Sequence, residues 1–253
     1  MRLDVVVAPV FLEEQTKGRC LCAVVDVLRA TSTIVTALVS GATAVRPCMD
    51  IDEARRGAAS LGRGSGLLGG EERGEQIPGF DLGNSPLEYL APEVVAEKTI
   101  FHYTTNGTGT IRKAHSACGG PVFIASLLNV SAASGAIGAE ALASDAESIV
   151  VVCSGRDGKP SAEDLYCAGV MVDNLARGLR DGGTAPQLGD GAAIAAGYAA
   201  GSLGSSFEVL ATSEHGRFLE SIGFAADLEF ASRVDEYDVA PVFDGERVFL
   251  QPR

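Results

Sequence analysis

The sequence predicts an α/β protein with a largely parallel or mixed sheet. Two observations carry this. Apolar runs of strand length alternate along the chain with segments of helical character. Some of those runs, 20–25 and 149–153 among them, are apolar at every position. That is the pattern of strands covered on both faces.

Strands are expected at 4–10, 20–26, 43–47, 66–69, 98–104, 121–125 and 148–153, and helices at 31–40, 50–61, 107–117, 129–142 and 161–180. The first helix opens at Thr31-Ser32-Thr33, hydroxyls suited to capping. Asn106-Gly107 marks a turn before the third. Ser161-x-x-Asp164 reads as a capping-box-like start for the fifth. Beyond residue 185 the chain changes character. Segment 189–204 is rich in alanine and glycine, which suits either a close-packed internal helix or a contact between copies in a homo-oligomer. Short helices are expected at 214–222 and 224–233. Asp244-Gly245 between two apolar runs predicts a hairpin turn.

The 253 residues give ample core for one domain over 1–253, with a division into two lobes near 145–185 as its one variant. The net charge of −13 argues against a nucleic-acid partner. No apolar run approaches membrane length, so no membrane partner is expected. Met1-Arg2-Leu3-Asp4 leads straight into a strand-like run, so no signal peptide is expected and the cytoplasm is the expected location. The six cysteines are scattered, without CxxC pairs, and read as reduced, buried thiols.

Chemistry concentrates in four polar loops that follow strand-like runs, where α/β sheets usually hold ligands. The first carries Asp26, Arg29, Thr31 and Ser32. A strand that ends in a carboxylate and runs into a helix start can hold a cation and an anion together; a plain helix cap is the simpler alternative. The second is a 16-residue irregular loop with Glu71 and Asp81, closing on Asn84 and Ser85; loops of that length are usually functional. The third is Thr104-Thr105-Asn106-Gly107-Thr108. The fourth runs from Cys153 to Asp164. Together they offer hard oxygen ligands (Asp26, Glu71, Asp81, Asp164), arginines and helix starts, an inventory that fits Mg²⁺ and a phosphate-like anion. Other phosphate chemistries lack their motifs. There is no P-loop and no GxSxG elbow. A cysteine phosphatase needs arginine six residues after its cysteine, where Cys153 is followed by Lys159. Leu28 stands where the haloacid-dehalogenase pattern needs a second aspartate.

Several segments resemble the 2-phosphosulfolactate phosphatase family. They are Val25-Asp26-Val27-Leu28-Arg29-Ala30-Thr31-Ser32-Thr33, Gly70-Glu71 with Gly79-Phe80-Asp81-Leu82-Gly83-Asn84-Ser85-Pro86, and Thr104-Thr105-Asn106-Gly107-Thr108. Ser126 with Asn129, Glu163-Asp164, Ser213-x-His215-Gly216-Arg217, Asp227 and Asp235 follow in the family's order. The resemblance implies a three-layer α/β/α fold and a Mg²⁺-dependent phosphatase. The implied substrate is a small phosphorylated and sulfonated molecule, 2-phospho-3-sulfolactate, which leads towards coenzyme M in methanogens. Arg156 stands where the family tends to carry threonine, which bears on substrate preference.

On this reading Asp26, Arg29, Glu71 and Asp81 are the catalytic candidates, and Asp26, Glu71 and Asp164 the metal ligands. Thr31, Ser32, Asn84, Ser85, the Thr104–Thr108 segment, Ser126 and Asn129 would hold substrate. In-line attack by water and attack by Asp26 to give an aspartyl phosphate both remain open. The rival functions are a phosphatase for another small anionic phosphomonoester and a non-catalytic anion-binding protein.

Overall fold

The expected alternation is present in the computed structural model, which describes residues 1–12, 18–62, 64–202 and 205–251. Strand β1 (Arg2–Val6) is shorter than expected, because Pro9, which lacks an N–H, starts a 3₁₀ turn at Pro9–Phe11. Then follow β2 (Cys20–Val25), α1 (Ala30–Val39), β3 (Ala44–Pro47) and α2 (Ile51–Ser60). Asp50 caps α2, accepting from Glu53 N at 2.6 Å.

The second polar loop is more ordered than its sequence suggests. Strand β4 (Gly66–Glu72) runs on through Glu71 and turns back into β5 (Glu75–Gln76). The two turn residues, Arg73 and Gly74, both have positive φ (55° and 87°), as a tight hairpin of matching twist requires. A short helix α3 (Pro92–Val95) precedes β6 (Thr99–Tyr103), α4 (Gly107–Cys118), β7 (Val122–Ala125), α5 (Val130–Ala143) and β8 (Ser148–Cys153).

The C-terminal part holds α6 (Ala162–Asp181), β9 (Gln187–Leu188), α7 (Asp190–Gly201), α8 (Ser206–Thr212), α9 (Glu214–Ser221) and α10 (Ala225–Ala231). The hairpin β10 (Val242–Phe243) and β11 (Val248–Phe249) closes it around Asp244-Gly245 as expected. The alanine-rich α7 is a surface helix rather than an internal one. Only Ala192 and Ala195 are buried in it, and Ile194 faces out. Its backbone approaches α6 closely at Gly169, where a Cβ would stand 2.1 Å from the Ala195 carbonyl oxygen. Residues 203 and 204 of that segment lie outside the described residues.

The strand order is β5-β4-β6-β3-β11-β10-β7-β2-β8-β1-β9. Two parallel blocks, β4-β6-β3 and β7-β2-β8-β1-β9, are joined by the antiparallel C-terminal hairpin. Alternate residues of the central strands feed opposite faces. Ala23, Val25, Ile149 and Val151 pack beneath α5, α6 and α7. Cys22, Val24, Val150 and Val152 pack beneath α1 and α4. The result is the three-layer α/β/α sandwich, and it explains why these strands are apolar throughout. Three antiparallel pairings separate the parallel blocks, so the blocks run in opposite senses. Sheet twist of roughly 20–25° per strand pair accumulates between β6 and β2. The carboxyl ends of those two strands meet at one crevice, where Gly107 abuts Asp26.

The expectation of six reduced thiols fails in part. Cys22 and Cys118 are joined in a disulfide, while Cys20, Cys48, Cys153 and Cys167 are buried and free. The partners are 96 residues apart, on β2 and at the end of α4, and only the packing of that helix on that strand brings them together.

Candidate active site

A cavity of about 350 Å³ lies where the loops after β2, β4, β6 and β8 meet the start of α9. Asp26, Arg29, Glu71, Asn84, Thr104, Thr105 and Asn106, all expected from sequence, are among its lining residues.

Asp26 is placed by β2 and held by the turn into α1. Its backbone N–H donates to Thr31 Oγ1 (2.9 Å), and Thr31 Oγ1 donates to the Asp26 carbonyl (2.8 Å). Asp26 Oδ1 accepts from Ala30 N at 3.1 Å. Oδ2 faces the start of α4, where a Cβ on Gly107 would stand 2.6 Å away. Burial pushes the Asp26 carboxyl up to about 6, and the negative charges of Glu71 and Glu163 add to this, against the opposing pull of His215 and the Ala30 bond.

Glu71 clamps two loops. Its Oε2 accepts from Gly74 N (2.6 Å) and Thr105 Oγ1 (3.2 Å), and its Oε1 from Thr105 N (2.7 Å). Thr104 and Thr108 exchange backbone and hydroxyl bonds, which shapes the first turn of α4. Asn84 presents a buried Oδ1 without a hydrogen-bond partner.

Arg29 lines the cavity but is already paired. Its Nη1 donates to Asp227 Oδ2 (2.8 Å), its Nη2 to the Gly74 carbonyl (2.6 Å), and its guanidinium lies 4.2 Å from the Phe224 ring centre. Ser85 Oγ completes the cluster by donating to Asp227 Oδ1 (2.5 Å). The Leu28–Arg29 peptide is cis.

Other expected residues stand back from the cavity. Asp164 accepts from Val27 N (2.8 Å) on Oδ1 and from Gly155 N (2.9 Å) on Oδ2, so it ties the β2 and β8 loops together instead of lining the wall. Burial, with Asp26 and Glu163 nearby, raises its carboxyl well above the usual range. Ser161 makes no cap bond to α6 with its side chain, so the capping box is absent. Asp81 is exposed and accepts from Leu68 N at 2.8 Å. Ser32 donates to the Val27 carbonyl. Ser126 and Asn129 form a capping box, and Asn129 also donates to the Ile124 and Val239 carbonyls.

The structure adds residues that the sequence did not place in the site, although it tied Arg156 to substrate preference. Arg73, Arg156 and His215 line the cavity. Arg156 stacks 4.3 Å from the centre of the Phe218 ring. His215 Nδ1 lies 3.4 Å from Glu163 Oε1, and the buried Glu163 Oε2 has no partner. Ser213 caps α9 by accepting from Gly216 N (2.9 Å), which fixes His215 in the first turn. The Ser213-x-His215-Gly216 spacing carried that cap, and its third residue is the signal that could have pointed to His215.

The site sets carboxylates, arginines, a histidine and an open helix start around one small cavity. That is the equipment of an enzyme acting on a phosphate monoester. Similarity to known proteins points the same way. A family model described as 2-phosphosulpholactate phosphatase matches residues 8–246. A Thermotoga petrophila protein is 42% identical over 241 residues, covering 94% of each chain. One from Gloeobacter violaceus is 40% identical over 253 residues, covering 99% of each. One from Pseudothermotoga lettingae is 38% identical over 242 residues, covering 95% of this chain and 97% of its own. All three carry the name probable 2-phosphosulfolactate phosphatase. The chain belongs to the 2-phosphosulfolactate phosphatase family. Among the described residues, no helix is long and apolar enough to cross a membrane.

Proposed function

We propose that this chain is a Mg²⁺-dependent phosphatase that hydrolyses 2-phospho-3-sulfolactate to 3-sulfolactate and phosphate. The observation that carries the reading is the buried Asp26 carboxylate in a cavity that Glu71, Arg29, Arg73 and Arg156 also line. A buried carboxylate with acidic neighbours is stabilised by a bound cation. The donor set fits a hard divalent ion. Among the described residues Asn84 Oδ1 has no hydrogen-bond partner, Asp26 accepts from Ala30 N on Oδ1, and each Glu71 oxygen keeps a lone pair beyond its present bonds. Asp26 and Glu71 would hold the ion, with Asn84 Oδ1 as a neutral third donor. When bound, Mg²⁺ supplies charge neutralisation at the phosphoryl oxygens.

The chain's own groups account for the rest. The backbone N–H groups at the start of α4 and the positive end of that helix face the anion. His215, oriented through Nδ1 by Glu163, presents Nε2 as a proton donor or acceptor for the bridging oxygen or the attacking water. Arg73 and Arg156 provide positive charge for the sulfonate and carboxylate of the substrate. Arg29 supports this from behind, since Asp227 balances its charge. The cavity volume suits a molecule of that size.

The test is phosphate release from 2-phospho-3-sulfolactate and from 2-phospholactate, with and without Mg²⁺. Faster turnover of the sulfonated substrate supports the reading. Equal turnover of both would leave a phosphatase for another small anionic ester, and no release from either would leave an anion-binding protein.

A further inference from the structure

Three sulfur atoms meet in the core away from the cavity. Cys20 and Cys22 lie two apart on β2 and face the same side of the sheet. Cys118, the last residue of α4, reaches them from the covering layer. Cys22 and Cys118 form the disulfide, and Cys20 Sγ lies 4.0 Å from Cys22 Sγ. The three sulfurs all lie within 4.8 Å of one another. Nothing in the phosphatase reading uses them.

The Cys20–Cys22 sulfur separation of 4.0 Å is the one a soft cation needs, and the bonded Cys22 and Cys118 sulfurs reach it by separating once the disulfide is reduced. Metal–thiolate bonds of about 2.3 Å, spread around one ion, set the sulfurs roughly 4 Å apart. The backbone positions are fixed, because β2 is a central strand of the sheet and α4 packs directly on it, while a Cα–Cα distance of 6.7 Å leaves the Cys22 and Cys118 side chains room to swing their sulfurs apart. The surroundings are largely apolar, with Val24, Ile111, Ala114 and Val122 in the same cluster, which favours a sulfur-seeking cation over a hard one. Cys20 and Cys22 are buried, whereas Cys118 is only partly so, which leaves a path of entry.

We propose that the reduced Cys20–Cys22–Cys118 cluster binds one thiophilic d¹⁰ cation, of the copper(I) or zinc(II) class. Reduction comes first. A dithiol reductant gives two electrons and two protons to the Cys22–Cys118 bond and becomes a disulfide itself; one S–S bond breaks and two S–H groups form. The cation then displaces three thiol protons to solvent as three metal–sulfur bonds form. The cluster thus has two exclusive states, covalent staple and metal site. Both tie the end of α4 to β2.

The test uses the full-length protein, reduced with a dithiol under inert gas and freed of reductant. Intact mass must show the gain of two hydrogens. The protein is then titrated with copper(I) held by a chromophoric chelator and, separately, with Co²⁺ as a reporter for zinc, read by its thiolate charge-transfer absorption. That absorption separates sulfur ligation from binding at the carboxylates of the cavity. The expected result is one equivalent bound per chain. It is lost in Cys20→Ala and in Cys118→Ala, kept in Cys48→Ala, and absent from the oxidised protein. The copper and cobalt arms tell which cation class the site prefers. If a variant fails to fold, the comparison of oxidised with reduced wild type still decides. A disulfide that resists reduction in the folded chain, no thiolate absorption and no copper withdrawn, or equal binding by the oxidised protein would each overturn the proposal.

Discussion

A single methyl group at Gly107 tests whether the first turn of α4 is part of the active site. An ideal Cβ there would stand 2.4 Å from Ala30 Cβ and 2.6 Å from Asp26 Oδ2. Ordinary contacts are about 3.5–4.0 Å, so something must move by roughly 1 Å. Neither neighbour yields easily. Ala30 is buried in the first turn of α1, and the Asp26 carboxylate is anchored through Oδ1 to Ala30 N. Gly107→Ala therefore pushes the helix start away from Asp26. Overpacking of this kind costs about 1–3 kcal/mol, offset by up to about 1 kcal/mol from replacing a helical glycine. The net loss should lower Tm by roughly 2–8 °C in a chain of this size. A misplacement near 1 Å should cut kcat/KM by about 100-fold. Gly109 is the control: it lies two residues further along the same helix, and a Cβ there meets nothing within 4 Å. Gly109→Ala should keep full activity. Phosphate release at saturating Mg²⁺ and thermal melts of both variants provide the readout. If Gly107→Ala turns over as fast as Gly109→Ala, the start of α4 does not take part in catalysis.

Other expectations follow from the same geometry. Asp26→Asn should lower kcat by at least ~100-fold while the turn survives, because the amide oxygen can still accept from Ala30 N. Asp26 also sets a pH dependence: an acid with an unfolded value near 4 and a folded value of about 6 stabilises the fold while protonated, and that contribution is lost as pH rises through 6. Denaturant unfolding in chelator should therefore show wild type losing roughly 3 kcal/mol between about pH 4 and pH 7 at this group, with Asp26→Asn missing that loss. Chelation should abolish turnover, and Mg²⁺ should restore it, as followed by phosphate release. Arg29→Ala strands the buried Asp227 carboxylate, so it should cost about 3–5 kcal/mol in denaturant unfolding; the double variant Arg29→Ala/Asp227→Ala should recover part of it.

The layers of the fold were legible because the central strands are apolar at every position, and such strands need cover on both faces. Much of the site was legible for a related reason. Asp26, Glu71 and Thr104–Asn106 each follow or end an apolar run, and the sheet gathers such ends. What was not legible depends on distance along the chain. The Arg29–Asp227 pair joins residues 198 positions apart, and Glu163 meets His215 only through the tertiary fold, at the starts of α6 and α9. The Cys22–Cys118 bond has the same origin. The β4–β5 hairpin was hidden because its turn places Arg73, a residue with no turn preference, at positive φ beside Gly74. A proline set the end of β1, and β4 ran past its expected end through pairing with β6 to Gly70 and with β5 beyond it.

The motif residues that turned away from the cavity show what the loop chemistry is for. Thr31, Ser32 and Thr108 each donate a hydroxyl to a carbonyl four or five residues back. Asp164 accepts backbone N–H groups from two neighbouring loops, and Asp81 accepts one from strand β4. Glu71 does the same while also facing the cavity. These side chains satisfy buried backbone groups that irregular loops would otherwise leave unpaired. The loops can then stay fixed without regular structure. Asp26 differs from Glu71 and Asp164 because only one of its oxygens accepts a backbone N–H. Burial and the neighbouring carboxylates make the Asp26 carboxyl hold a proton up to about 6, and above that pH it calls for other positive charge. His215 already lowers the cost from one side. A bound cation would lower it further and release the proton, so metal affinity should rise with pH through 6 even though the fold alone weakens there.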